Sequence, residues 1–247
     1  MVYQFFLNPA CTMTQPTQSK AIPLYLQISE TLIREIGSGL LEDGTRLPPE
    51  RALAVRFETT VRTLRKALAE LERKGLIERI QGSGNYVRSK DQVLSIYSML
   101  RLELHEGGGL PTADFLSIEE LKKPADLPDF GRKGWGTRFR RLRFLNKIPV
   151  AVEEIWLDGS AGQVDPAKVQ DSMYRFYRLA LDVWISRAED RVGIGEVPDW
   201  APQGFAKAPG TTTGYVERLS WAKEDRPVEF SRTWYDTDKA LYVQRLT

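Results

Sequence analysis

Apolar residues in the first third of the chain recur in steps of three and four. Tyr25, Ile28, Leu32 and Ile36 follow Ile22 on one helical face, and Gly37-Ser38-Gly39 ends that run. After a turn at Glu42-Asp43-Gly44, the fixed φ of Pro48 and Pro49 suits the start of a second helix, Glu50 to about Phe57, with Leu53 and Phe57 inward. Thr59-Thr60 offers a hydroxyl N-cap to a third helix whose apolar set is Val61, Leu64, Leu68 and Leu71 and whose stop is Gly75. The period then shortens: LIERIQ, GSGN and YVRS predict two short strands around a glycine turn. Three amphipathic helices followed by a hairpin predict a winged helix-turn-helix over residues 20–88.

A polar stretch at 89–92 predicts a linker, and residues 93–247 predict a separate α+β domain. It is mostly strand-like, in segments such as TRFRRLRFL, IPVAVEEIWL, GYVERLSWA and PVEFSRTWY. One helix is expected around Val169 to Leu181, with further helix between Val183 and Lys207.

Composition narrows the function classes. A single cysteine, Cys11, excludes an intramolecular disulfide and a cysteine metal cluster, and nothing calls for a metal or a cofactor. No apolar run approaches a membrane span, and the opening lacks a basic signal-peptide region; a soluble, cytoplasmic protein is expected, with Met13 an alternative translation start to Met1. The net charge of +2 conceals a split: thirteen basic face nine acidic residues between Lys20 and Lys90. A solvated helical face produces such an excess, and so does a surface for a polyanion.

The order of elements favours double-stranded DNA. In a helix-turn-helix the second helix of the motif enters the major groove with its N-terminal half against base edges. That helix begins at Thr60, and Arg62, Arg65 and Lys66 project from the face opposite its apolar set, with the small Ala69 permitting close approach. A guanidinium donates two hydrogen bonds to guanine, whereas lysine mainly holds phosphate. Arg51, in the preceding helix's first turn, is placed for phosphate, and the slim tip Gly82-Ser83-Gly84 suits the minor groove.

These residues carry a resemblance. P-L-Y-x-Q-I, L-P-x-E-R-x-L-A, T-x-R-x-A-L-x-x-L and G-L-I-x-R-x-x-G-x-G, spread over Ile22 to Arg88, resemble the DNA-binding domain of the GntR family of bacterial transcription regulators. Where the family has a Gly-Val-Ser-Arg-like turn, this chain has Glu58-Thr59-Thr60-Val61. The hydroxyl cap is kept, while the turn glycine and the arginine expected at position 61 are absent.

Reaction motifs are lacking in the second domain. His105 is the only histidine, and no GxSxG accompanies it. Glu119-Glu120 and Glu153-Glu154 are adjacent pairs whose members point apart on either a strand or a helix. Gly107-Gly108-Gly109 predicts a loop, with a phosphate cradle the sharper alternative. Arg141 and Arg143, two apart on one strand, share a face, and Glu153 shares it only in one hairpin register. R-x-R with P-V-A-V-E, then DSMY and RPVEFSRTWY, is similar to the UTRA effector domain of the HutC subfamily, spread over most of Leu110 to Thr247. That resemblance implies a chorismate-lyase-like antiparallel sheet that binds small molecules and dimerises. It further implies an effector pocket from Arg141, Arg143, Glu153, Ser172, Glu229 and Tyr235, suited to an anionic metabolite. The expectation is a homodimeric, ligand-responsive regulator that represses; the rival is a lyase-like enzyme with a DNA-localising N-terminus.

Overall fold

A computed structural model describes residues 22–37, 40–88, 99–170, 172–222 and 226–245. The alternative start at Met13, Cys11 and the linker at 89–92 lie outside these residues.

The N-terminal unit comprises α1 (Leu24–Gly37), α2 (Glu50–Arg56), α3 (Val61–Arg73), β1 (Ile77–Ile80) and β2 (Gly84–Val87). Ile28, Leu32, Ile36, Leu53, Phe57, Leu64, Leu68 and Leu71 bury together, closed by Leu76, Ile77 and Val87 of the hairpin. Thr60 caps α3, its Oγ1 accepting the Thr63 N–H at 3.1 Å. Gly75, at φ +71°, takes the left-handed conformation that ends this helix.

The second unit contains β3 (Leu102–Leu104), β4 (Pro111–Lys122), β5 (Trp135–Leu145), β6 (Ile148–Asp158), α4 (Met173–Ala180), β7 (Arg187–Glu196), β8 (Thr212–Trp221), β9 (Pro227–Tyr235) and β10 (Ala240–Tyr242). Six strands form one antiparallel sheet in the order β4-β5-β6-β9-β8-β7, and β3 pairs with β10 separately. The central strand β6 is buried along nearly its whole length. On one face α4 packs Met173, Phe176 and Tyr177 onto Phe115, Phe139, Ile155 and Leu157. On the other, Val197, Phe205 and Trp200 cover Leu142, Val152 and Trp234, while Phe130 covers Trp156 and Phe230.

One element departs from the expectation. The helix sought between Val183 and Lys207 is absent from the described residues there; Arg187–Glu196 is instead strand β7, paired with β8 over ten positions. Gly193 and Gly195 weaken any helix in this stretch, and Gly195 lets the Tyr215 ring approach closely. The segment Pro111–Lys122 is also a strand, held by β5 through a long-range ladder.

Candidate functional site

The candidate DNA-binding side chains of the winged helix are solvent-facing. Arg51, Arg62, Arg65 and Lys66 are exposed, as is Ala69. Glu50, the first residue of α2, accepts Arg65 Nε at 2.7 Å and Arg79 Nη2 at 3.3 Å, tying the recognition-helix arginine to one from the wing. Gly82 and Gly84 both have positive φ, and Ser83 Oγ bonds the Tyr86 hydroxyl at 2.7 Å, which stiffens the tip. The backbone of Arg46 bridges to Tyr86, and its guanidinium lies against Gly84. Arg46 was not singled out from the sequence, nor was the Glu50 side chain, although Glu50 stands in the quoted L-P-x-E motif and its backbone is expected near phosphate.

In the second unit the hairpin register settles which residues share a face. Asn146 and Lys147, at φ +47° and +62°, form the two-residue turn joining β5 to β6, and Arg141 pairs directly with Glu153. Arg141 donates to Glu153 through Nε at 2.9 Å and through Nη2 as well; Arg143 Nη1 reaches the other carboxylate oxygen at 3.3 Å. Burial alone would raise the Glu153 pKa, but the charges of Arg141 and Arg143 reverse this and hold it at about 2.

These three residues, with Ser172, Tyr174, Arg218, Glu229 and Ser231, line a cleft enclosing about 550 Å³ of empty space, open margin included. Met99 and Leu100, the first described residues after the linker, form part of the same wall. Ser172 caps α4, its Oγ accepting the Arg175 N–H at 3.4 Å. Glu229 Oε1 accepts Ser220 Oγ at 2.8 Å and the Tyr174 hydroxyl at 3.2 Å. Its Oε2, beside the Tyr177 hydroxyl, makes no hydrogen bond of normal geometry among the described residues. Burial pushes the Glu229 pKa up.

Five of the six effector candidates thus meet in one cleft. Tyr235 does not line it. It follows Glu229, Ser231 and Thr233 at strand spacing, but its ring packs over Gly214 in a cluster with Ala151, Val150 and Val216. The face is right; the position lies past the cleft's end. Tyr174, Arg218 and Ser231 were missed, although Tyr174 belongs to DSMY and Ser231 follows Glu229 by two.

The triglycine loop is not a phosphate cradle. Gly107, Gly108 and Gly109 all have positive φ; Gly108 lies against the Glu35–Arg56 ion pair of the winged helix, and the Gly109 carbonyl accepts Arg34 Nη2 at 3.4 Å. A side chain at Gly108 would collide with that pair. His105 bonds the Thr237 carbonyl at 2.9 Å on the surface. Among the described residues, no group of three or more His, Cys, Asp or Glu side chains is placed to hold a metal ion, and no helix is long and apolar enough to cross a membrane.

Residues 24–87 match the family described as bacterial regulatory proteins, gntR family, and residues 106–240 match the UTRA domain. A relative from Agrobacterium fabrum, the HTH-type transcriptional regulator SmoD, is 49% identical over 92% of this chain and 97% of its own length. The chain belongs to the GntR family.

As a GntR protein with a UTRA domain it is a DNA-binding, ligand-responsive transcription regulator, and the enzyme reading falls away. Another relative, the Escherichia coli mannosyl-D-glycerate transport/metabolism system repressor MngR, is 26% identical over 87% of this chain and 92% of its own. The crystal structure of a possible transcriptional regulator, YydK of Bacillus subtilis, shares the fold with a TM-score of 0.51 at 20% identity, over 92% of this chain and all of that one.

Proposed function

We propose that this GntR-family regulator is a cytoplasmic homodimeric repressor, released from a near-palindromic operator by a small anionic metabolite. In this reading α3 lies in the major groove, with Arg62 and Arg65 at base edges and Lys66 on phosphate. Arg51 and Thr60 meet the backbone, and Gly82-Ser83-Gly84 enters the minor groove.

The observation that carries the effector reading is the convergence of Arg141, Arg143 and Arg218 with the hydroxyls of Ser172, Tyr174 and Ser231 in one cleft. An oxyanion on a hydroxylated frame fits both sets. MngR, by its name, pairs repression with mannosyl-D-glycerate, a glycoside bearing a carboxylate. Switching requires the ligand to bind one dimer geometry better than the other.

The dimer reading rests on β7. It is an edge strand with Val192 51% and Ile194 78% exposed, apolar groups beside an open row of backbone donors and acceptors. A second copy related by a two-fold axis covers that edge with the same strand. Ile194→Lys is expected to convert a micromolar dimer to monomer in sedimentation equilibrium; a dimeric variant moves the interface elsewhere.

Sequencing of genomic fragments captured by the purified full-length protein tests the whole reading. The enriched fragments are expected to share a two-fold-symmetric site, to bind less tightly as salt rises, and to be released by an oxyanion-bearing metabolite. Absence of enrichment at low ionic strength sinks the proposal, and a metabolite that tightens binding turns release into recruitment.

A further inference from the structure

Arg141 and Arg143 converge on a single carboxylate, Glu153. Arg218, from the middle of β8, lines the same cleft and is held in another way. The register places it between Asp190 of β7 and Ser231 of β9. Asp190 accepts its Nε at 2.5 Å and its Nη2 at 2.6 Å, and the same carboxylate is fixed by the Tyr242 hydroxyl at 2.6 Å. A side-on clasp of this kind occupies one edge of the guanidinium and turns the other toward the cleft, where it meets the Tyr174 hydroxyl.

Arg218 also borders a narrower extension of the cleft running past Arg143, Glu153, Thr233 and Tyr242, so it stands where the two spaces join. Among the described lining residues of the main cleft, three guanidiniums face two carboxyls, Glu153 and Glu229. Arg141 and Arg143 engage Glu153, while Asp190 clasps Arg218 from β7. Arg218 is therefore the guanidinium of the cleft whose carboxylate partner stands on another strand, outside the lining.

We propose that Arg218 is the specificity-determining residue for the charged end of the effector, taking an oxyanion borne on a hydroxylated frame, and that Asp190 is its positioning residue. This rests on the reading of the cleft as the effector site.

The test uses the full-length protein, thermal unfolding and calorimetry with D-glucose, D-glucuronate and D-glucose 6-phosphate, which separate a neutral frame from a carboxylate and a phosphate. At least one charged probe is expected to stabilise the wild type, and glucose is not. Arg218→Gln is expected to weaken that probe at least tenfold, Arg218→Lys to recover part of the loss, and Asp190→Asn to weaken binding by an intermediate factor. Circular dichroism checks the fold of each variant. If Arg218→Gln does not fold, Arg218→Lys decides: a Kd equal to wild type overturns the assignment, because an ammonium cannot reproduce the clasped fork. Wild-type affinity in a folded Arg218→Gln overturns this inference and leaves the effector cleft standing. A wild type that ignores every charged probe, or prefers glucose, overturns both.

Discussion

Arg65→Ala is expected to weaken operator binding by about 10- to 100-fold, in line with roughly 1–3 kcal/mol for one bidentate base contact. Arg65 projects from the first half of α3, its side chain 61% exposed, and Glu50 fixes its direction without burying it. Its guanidinium is therefore held in a set orientation, so the proposed docking leaves little ordering for the moment of binding. The loss should be confined to one base pair: single-base operator variants at that position will cost the wild type affinity and cost the variant little. Lys66→Ala gives the contrast, a smaller loss that is uniform across sequences and lowers the salt slope by about one. Gel shifts at two salt concentrations separate the two patterns. Wild-type affinity in Arg65→Ala would overturn the docking of α3.

Glu153→Gln is expected to destabilise the second domain by about 3–5 kcal/mol, the usual consequence of removing one partner from a buried ion pair. The buried Arg141 and the half-buried Arg143 would lose the acid they share, and Thr233 Oγ1 would lose a charged acceptor. The pH dependence has a definite sign. Glu153 titrates at about 2 in the folded chain against an ordinary 4.5, so its contribution is complete above about pH 4.5 and disappears as pH falls toward 2. Urea unfolding between pH 3 and 7 should show the gap between wild type and variant narrowing toward the acid end. An anionic effector should restore part of the variant's stability by supplying the missing counter-charge. A gap that is absent at pH 7 rejects this account of the cleft.

Much of this architecture was legible because its determinants are local. The winged helix follows from spacing within single helices, from the Thr60 hydroxyl and from the glycine tip of the wing. In the second domain PVEFSRTWY reads directly as β9, and Asn146-Lys147 marks the hairpin that sets Arg141 against Glu153. The failures have a common cause in long-range pairing. Strand β7 is exposed on both sides, so it shows no inside-outside alternation, and only its ladder to β8 makes it a strand. Tyr235 illustrates a finer limit: spacing gives the face of a strand but not the depth along it, which here depends on Gly214 opposite making room for the ring. Arg218 follows Glu217 and resembles a surface charge pair until Asp190 arrives from another strand.

Met99 and Leu100 close one side of the cleft immediately after the segment that leads from the winged helix. Any molecule that fills the cleft therefore touches the chain between the two matched regions, and not the sheet and α4 alone.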